Sequence, residues 1–379
     1  MKEYDIVVVG GGPAGCSAAK TASEKGARVV ILEEHPNIGL PRHCCGVLYP
    51  SDYRQEILDL VGEDLVLQVY EKERIYSFKG ELIQEWPCDK RGNALIRREE
   101  FDQRWARLAA MAGADIFINT RVSGLTREKG KITGVATENA SLPQVKGKVV
   151  IVASGSGSQE AGIPAQEGFS EGKQFATDIW MEVTNVKDII NTICEDYYST
   201  TLWLGRFSIH PYLGCNSFGN CTVETLERIK NAPDNPLSRR MRNVQITRIL
   251  ASRAARTLAS SVTSAAWKTV KDGLILVGGA AADFNGMIPA VITGRFAGQV
   301  AAEAIQAGDV SEASLKRYED MWRKLGLLDM YAAPGEARRK VAAILASKGS
   351  DEDLANALKA MLQPGKPHPL HAASGPRRP

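Results

Sequence analysis

A glycine signature near the N-terminus constrains this chain more than any other feature. Asp5 to Val9 (DIVVV) form a short apolar run, Gly10-Gly11-Gly12-Pro13-Ala14-Gly15 follow, and small residues dominate Ala14 to Lys25. Arg28 to Leu32 (RVVIL) then form a second β-branched run, closed by Glu33 and Glu34. That order predicts strand, helix and strand, a βαβ unit built on a parallel sheet. Within it each glycine of GxGxxG has a physical role. Gly10 permits the tight turn, Gly12 lets the backbone approach a pyrophosphate, and Gly15 lets the helix pack on the sheet. The first-turn amides, from Ala14 onward, and the positive helix end then face the phosphates. Glu33 stands where an acid can bond both hydroxyls of an adenosine ribose. It repels a 2′-phosphate, which disfavours NADP in this pocket.

The unit is interrupted after two strands by a long insertion. Arg98 to Ala112 predicts a helix ended by Gly113, with Asp115 to Asn119 strand-like after it. Lys148 to Ala153 predicts a buried strand ended by Ser154 and Gly155; Leu274 to Val277 predicts another, followed by a helix over about 288–307 that returns to the first half. Between them, about 170–225 is β-rich with large aromatics (FATDIWMEV, TTLWLGRFSIHPYL), as expected of a sheet forming one wall of a pocket. His210, Trp180, Trp203, Phe207 and Tyr212 either line an apolar channel there or are plain core. The expected division is a discontinuous nucleotide-binding domain (1–70, 95–165 and 270–310), a sheet domain (71–94 and 166–269), a helical C-terminal region (311–363) and a disordered Pro-rich tail (364–379).

Composition removes several classes. With 379 residues, 44% apolar and 24% charged, the chain can bury a large core and is neither disordered nor fibrous. The 47 basic and 44 acidic side chains leave a net charge of +3 without a dense basic block before the last few residues, so no nucleic-acid partner is expected. Seven cysteines, at 16, 44, 45, 88, 194, 215 and 221, form no CxxC and have no histidine at zinc-ligand spacing, so no metal site is expected. Their odd number, and Glu3 and Asp5 where a leader needs positive charge, argue for free thiols in the cytoplasm. The weakly charged stretch from Gly273 to Gly294 is divided by Gly278, Gly279, Asn285, Gly286 and Pro289 into strand, loop and helix start, which is a buried crossover and not a spanning helix.

Taken together, GGGPAG with Glu33, then Pro41-Arg42-His43-Cys44-Cys45-Gly46 (a PxxCxG), then Arg98-Glu99-Glu100-Phe101-Asp102, then DGLILVGGAA at 272–281, resemble the geranylgeranyl reductase family of FAD-dependent enzymes. That family shares the p-hydroxybenzoate hydroxylase fold superfamily. The resemblance runs over about residues 4–310, with PxxCxG as its discriminating element. It implies an α/β fold: an FAD-binding Rossmann-type domain, a β-sheet substrate domain and a helical C-terminal cap. It also implies that Ala14 touches the pyrophosphate, Glu33 the ribose, Arg98 the ribityl-phosphate region and Val122 the adenine through its backbone. Cys44 and Cys45 would sit beside the isoalloxazine, with Cys44 either the candidate catalytic thiol, its thiolate favoured by a nearby Arg42 or His43, or a small buried residue that shapes the pocket. Gly286 and Met287 would offer backbone amides to the pyrimidine edge, with Gly279 close by.

The implied reaction is reduction of C=C bonds in a prenyl chain by hydride transfer from reduced flavin, a step of isoprenoid lipid metabolism. The electron donor would be NAD(P)H or a ferredoxin, since the chain has no second GxGxxG, and a lipid substrate implies peripheral membrane contact. Two departures stand out. Ser154-Gly155 replaces the family's Asp-Gly pair, and Gly279 replaces an Asp that bonds the ribityl chain, removing a charge-assisted hydrogen bond worth about 1.5–3 kcal/mol; Asp283 is a nearby substitute. The alternatives are a flavin monooxygenase of the same fold, or a non-catalytic member that binds a nucleotide or lipid.

Overall fold

The computed structural model describes residues 2–361 apart from 43, 50, 89–91, 159–161, 172–174, 201–204, 213–214, 220–221, 234, 258–267, 282–285, 326–339, 342, 345–346 and 348. His43, Trp203, Asp283 and the 364–379 tail therefore lie outside the described residues.

The nucleotide signature sits on a six-stranded sheet. Strand β2 (Ile6–Val9) pairs in parallel with β3 (Val29–Leu32) on one side and β13 (Val149–Val152) on the other. β9 (Asp115–Phe117) extends the first side, and β20 (Leu274–Leu276), edged by the antiparallel β19 (Val270–Lys271), extends the second. All residues of β2, β3 and β13 are buried, which explains their unbroken apolar sequence: a parallel sheet covered on both faces has no solvent side to alternate with. Helices α1 (Pro13–Glu24), α3 (Arg98–Met111) and α6 (Met287–Ala307) belong to this half, with α2 (Arg54–Val61) beside α3. α1 and α6 cross so closely that a Cβ at Gly294 or Gly298 would strike the carbonyls of Ala14 and Ala18, and Ser17 Oγ donates to Val291 O at 2.7 Å. A four-stranded sheet flanks the core: β1 (Lys2–Glu3), β12 (Gln144–Lys146), β11 (Lys131–Thr137) and β10 (Val122–Glu128).

A seven-stranded sheet forms the other half, in the order β18 (Gln245–Thr257), β14 (Phe175–Thr184), β17 (Cys215–Gly219), β16 (Gly205–Tyr212), β15 (Ile193–Ser199), β6 (Lys72–Ser77), β7 (Leu82–Pro87). All its pairings are antiparallel except β15 with β6. Its back is apolar: Met181, Val183, Phe207 and Ile209 pack against Leu226 and Ile229 of α4 (Val223–Asn231) and Leu237 and Met241 of α5 (Pro236–Met241). Its front faces the first half. Between the halves lies a three-stranded sheet of β4 (Val47–Leu48), β8 (Asn93–Ile96) and β5 (Val66–Tyr70). Leu48 and Ile96 pack into the nucleotide-side core, whereas Val47, Tyr70 and Leu95 pack with Cys194 of β15.

The C-terminal region is partly helical, with α7 (Arg317–Lys324) and α8 (Asp351–Met361). α8 covers the far end of the front face, where Leu354 and Leu358 meet Ile75, Trp86 and Tyr198. Thr200 anchors it, its amide donating to Asp351 Oδ1 and its hydroxyl to Gly349 O, both at 2.6 Å. The helices and strands expected around the signature stand within one or two residues of their expected ends. By contrast, α2, the strands over 66–96, β10 to β12, and helices α4 and α5 are elements that periodicity alone does not bring out.

Candidate active site

The turn from β2 into α1 has the geometry its glycines require. Gly10 adopts φ +104°, and a Cβ there would lie 2.6 Å from Ala153 O; a Cβ at Gly15 would fall onto the Gly10 carbonyl. At Gly12 nothing stands within 4 Å of such a Cβ, so the turn opens onto free space on that side. Gly12 caps α1 without a side-chain acceptor, Pro13 opens the helix and Ala14 follows, buried against the Gly278 turn. The amides of the first turn are thus left for a ligand. α6 repeats the arrangement: Gly286 caps it at φ +112° without a side-chain acceptor, followed by the buried Met287. Because α1 and α6 cross near their starts, both helix N-termini stand at the carboxyl edge of the parallel sheet, where ligands of such folds bind.

Glu33 leaves β3 at the same edge. Its Oε2 accepts from the Gly11 amide at 2.7 Å, and its Oε1 accepts from the His35 amide at 2.9 Å and meets His35 Nδ1 at 2.6 Å. A carboxylate offers about four acceptor sites, so these contacts fix its orientation without saturating it. The backbone beside it leads to Val122, since Thr120 N donates to Glu33 O at 2.8 Å and Asn119 N to His35 O at 3.1 Å. Val122 opens β10 half-buried, opposite Thr137. The structure therefore brings Gly10, Gly12, Pro13, Ala14, Gly15, Glu33 and Val122 to one rim.

Cys44 and Cys45 lie on the segment between the two halves and divide between them. Arg98 Nη1 donates to Cys44 Sγ at 2.8 Å, while its Nε and Nη2 grip Asp102 at 2.7 and 2.9 Å. The cation beside the thiol is thus Arg98 and not Arg42, which turns toward Glu182 of β14, 3.4 Å away, while His43 lies outside the described residues. Burial pushes the Asp102 carboxyl up, with Arg98 opposing and Glu33 adding to it. For Arg98 burial works against the charge, but Asp102 and Cys44 outweigh it and hold the guanidinium above its ordinary value. The Arg98–Asp102 pair is readable as an i, i+4 pair on α3; the bond to Cys44, 54 residues away, carries no local signal. Cys45 packs on the opposite side, with Tyr70, Cys194 and Tyr212.

Gly279 lies in a tight turn, Gly278–Ala280, after β20, anchored by the Gly278 amide on Thr293 Oγ1 at 3.3 Å. A Cβ at Gly279 would stand 2.8 Å from Ser156 N and 3.3 Å from Gly155 C. The two departures from the family's pattern are therefore neighbours. The Ser154–Ser158 turn, closed by Ser154 Oγ to Ser158 Oγ at 2.8 Å and Ser158 Oγ to Gly155 O at 2.7 Å, leaves no room for an aspartate at 279.

On the sheet side, the front face presents buried polar groups. Register pairs Cys194 with Glu73 and Asp196 with Ser208, and Ser208 Oγ donates to Asp196 Oδ1 at 2.5 Å. Glu73, Cys194, Asp196 and His210 line a cavity with Val47, Tyr49 and Asn93; at about 10 Å³ it has room for one water molecule. His210 also stands 5.5 Å, ring to ring, from Trp180 and 6.1 Å from Tyr70. Phe207 points to the back, into the core with α4 and α5, so it is no part of a channel, whereas Trp180 and His210 are on the front. Composition hides this polar face because its acids are buried within strands, Asp196 in the wholly buried β15 and Glu73 at a buried position of β6, whose alternate residues are exposed or half-buried.

The model of the FAD dependent oxidoreductases matches residues 5–344. The chain belongs to that family. Within it, the chain is a member of the geranylgeranyl reductase family and its cofactor is FAD. The digeranylgeranylglycerophospholipid reductase of Methanosphaerula palustris is 30% identical over 348 residues, covering 85% of this chain and 82% of that protein. That of Thermoplasma acidophilum is 28% identical over 352 residues, covering 85% and 83%. Among solved structures, a geranylgeranyl bacteriochlorophyll reductase-like protein from Thermoplasma acidophilum superposes with a TM-score of 0.72 at 22% identity, over 94% of this chain and 96% of that one. The flavin-dependent brominase Bmp2 follows at 0.64 and 18%, over 95% and 99%, which marks the fold as one that hosts several flavin chemistries. The residues present fit FAD: an open cradle at Gly12, two helix starts without side-chain caps, and an oriented carboxylate at Glu33.

Proposed function

We propose that this FAD-dependent reductase saturates C=C bonds in the prenyl chains of a lipid of the digeranylgeranylglycerophospholipid class. The observation that carries this reading is the position of the Cys44–Cys45 segment, joined to the nucleotide-side half through Arg98 and to the front of the large sheet through Tyr70 and Cys194. A flavin held along the rim would reach the sheet there. Bound and reduced, FAD supplies a pair of electrons and one hydrogen to the alkene. The chain supplies position. The first-turn amides of α1 take the pyrophosphate, Glu33 the ribose and the Val122 backbone the adenine. Gly286 and Met287 offer amides to the pyrimidine edge, Gly279 borders the ribityl chain, and Arg98 orients Cys44 toward the ring. In this reading the nucleotide side comprises 1–70, 95–165 and 270–310, and the substrate side 71–94 and 166–269.

A transient NAD(P)H encounter or a ferredoxin would reduce the flavin, as one dinucleotide unit is already filled by FAD. Among the described residues no helix is long and apolar enough to cross a membrane, so the lipid would be reached from the membrane surface. The test uses the FAD-loaded protein reduced by dithionite and incubated with a digeranylgeranyl glycerophospholipid. The product is expected to gain two hydrogens per double bond by mass spectrometry. Cys44→Ser is expected to retain FAD, because the phosphate and ribose contacts are elsewhere, yet to shift the flavin absorption and slow the reduction. An unchanged lipid mass with fully reduced flavin would remove the prenyl assignment.

A further inference from the structure

Saturating an alkene takes two electrons and two hydrogen nuclei, and the reduced cofactor accounts for the electron pair and one nucleus. The second must come from an acid at the substrate. We propose that His210 is that acid, and that Glu73 and Asp196 hold and resupply its proton. This rests on the reading of the site as an alkene reductase and goes beyond it by naming the donor.

His210 is buried on the front of β16, with Trp180 and Tyr70 beside its ring. It lines the small cavity together with Glu73 of β6, Asp196 of β15 and Tyr49, which follows the Cys44–Cys45 turn by four residues. Tyr49 lines the same cavity, Arg42, Cys45 and Cys88 act on the cluster electrostatically, and the remaining titratable groups facing it are Cys194 on β15 and Tyr70 on β5. Burial pushes both above their ordinary values, and the charges of Glu73 and Asp196 add to the effect on Cys194, so neither competes as an acid near neutral pH. An imidazolium that shares a cavity with two carboxylates is the strongest neutral-pH acid such a set can hold. Ser208 fixes one carboxylate by donating to Asp196 Oδ1 at 2.5 Å.

The step balances. An N–H bond of the His210 ring would break with its electron pair left on the ring, and the alkene π pair would form the new C–H bond to that proton; the electron pair and hydrogen for the adjacent carbon are what the reduced cofactor would supply when bound. The neutral ring then regains a proton from solvent through the cavity water and the two carboxylates.

Single-turnover reduction of the lipid by dithionite-reduced holoenzyme tests this. His210→Gln, which keeps polarity and approximate size, is expected to retain FAD and slow reduction by about 10²–10⁴-fold, the usual range for losing a general acid. The parent rate should fall as pH rises past the imidazole range, and the variant should lose that limb. Imidazole added to His210→Gly should restore part of the rate, which a packing role would not produce. Reduction by His210→Gln within twofold of the parent, with the same pH profile, overturns the proposal while leaving the reductase reading intact. Failure of the parent itself on prenyl lipid counts against that reading instead. The proposal is then decided by NMR of ring-labelled histidine in the FAD-loaded protein: the His210 signals must respond to pH, and Glu73→Gln must move that response to lower pH. A response that Glu73→Gln leaves in place overturns it.

Discussion

In the six-stranded sheet, β2, β3 and β13 consist of apolar residues buried on both faces, whereas in the seven-stranded sheet the strands β6, β15 and β16 bury Glu73, Asp196, Ser208 and His210 on their front. The two halves share the same chain and similar burial but not the same purpose. The first sheet exists to position backbone: its ligand contacts come from loop amides and one carboxylate at its edge, so its interior can be pure hydrocarbon. The second sheet is itself a site wall, so its interior carries the chemistry and accepts the desolvation cost of polar groups, which only hydrogen bonding offsets. Stability and function are separated in one half and superposed in the other.

The largest effect that tests this contrast is expected at Gly15. Its missing side chain lets α1 lie on the Gly10 carbonyl, so Gly15→Ala must push the helix off the sheet. A loss of about 3 kcal/mol or more is expected, read as a lower urea midpoint. Gly12→Val is the control. Gly12 has an ordinary φ of −76° and open space around it, so the fold should survive while FAD is lost. Equal stability of Gly15→Ala and the parent would mean that the first half tolerates backbone displacement and is not the rigid frame described.

The same contrast separates what is legible in the amino-acid sequence from what is not. Runs such as Val149–Val152, bounded by glycine and serine, announce themselves because nothing polar interrupts them. The rim residues Gly10, Gly12, Gly15 and Glu33 are legible for the same reason: their roles follow from backbone geometry a few residues apart. β15 reads ICEDYYS, with two adjacent acids and no apolar alternation, yet all seven residues are buried. Glu195 is held on the back by Arg240 at 2.7 Å, and Asp196 is held on the front by Ser208. Partners this distant in sequence leave no periodic trace. The Arg98–Cys44 bond is hidden likewise, although each of the two residues stands out in its own motif.

A middle-sized effect is expected at Ser208, the donor that satisfies one oxygen of Asp196. Ser208→Ala changes little volume but leaves that buried oxygen short of its donor, at a cost of about 1–3 kcal/mol. A serine-to-alanine change at a buried site without such a partner would be nearly neutral. If Ser208→Ala unfolds at the parent's urea concentration, the polar face is solvated in solution, and the two sheets differ less than their burial implies.

The smallest effect is expected at the edge of the first sheet, where its apolar interior gives way to an ion cluster. Asp5 precedes β2 and accepts from the Arg28 amide at 3.0 Å, with Lys148 Nζ at 2.9 Å and Arg28 Nε at 3.3 Å. It thereby ties the starts of β2, β3 and β13 together. Burial would raise its carboxyl, but the Arg28 amide and the two cations outweigh that and hold it below the ordinary range. A group with a depressed folded pKa stabilises fully above its unfolded value, about 3.9 for aspartate, and loses that contribution as pH falls through the folded one. Both cations are largely exposed, so screening limits the contribution to about 1 kcal/mol or less. Asp5→Asn should therefore unfold at slightly lower urea than the parent at pH 7, with the difference shrinking as pH drops from about 5 to about 3. The front-face acids are shielded from solvent and should add nothing to this particular difference. A gap that stays constant or widens on acidification would show that the strand starts are held by packing alone, extending the hydrocarbon character of this half out to its surface.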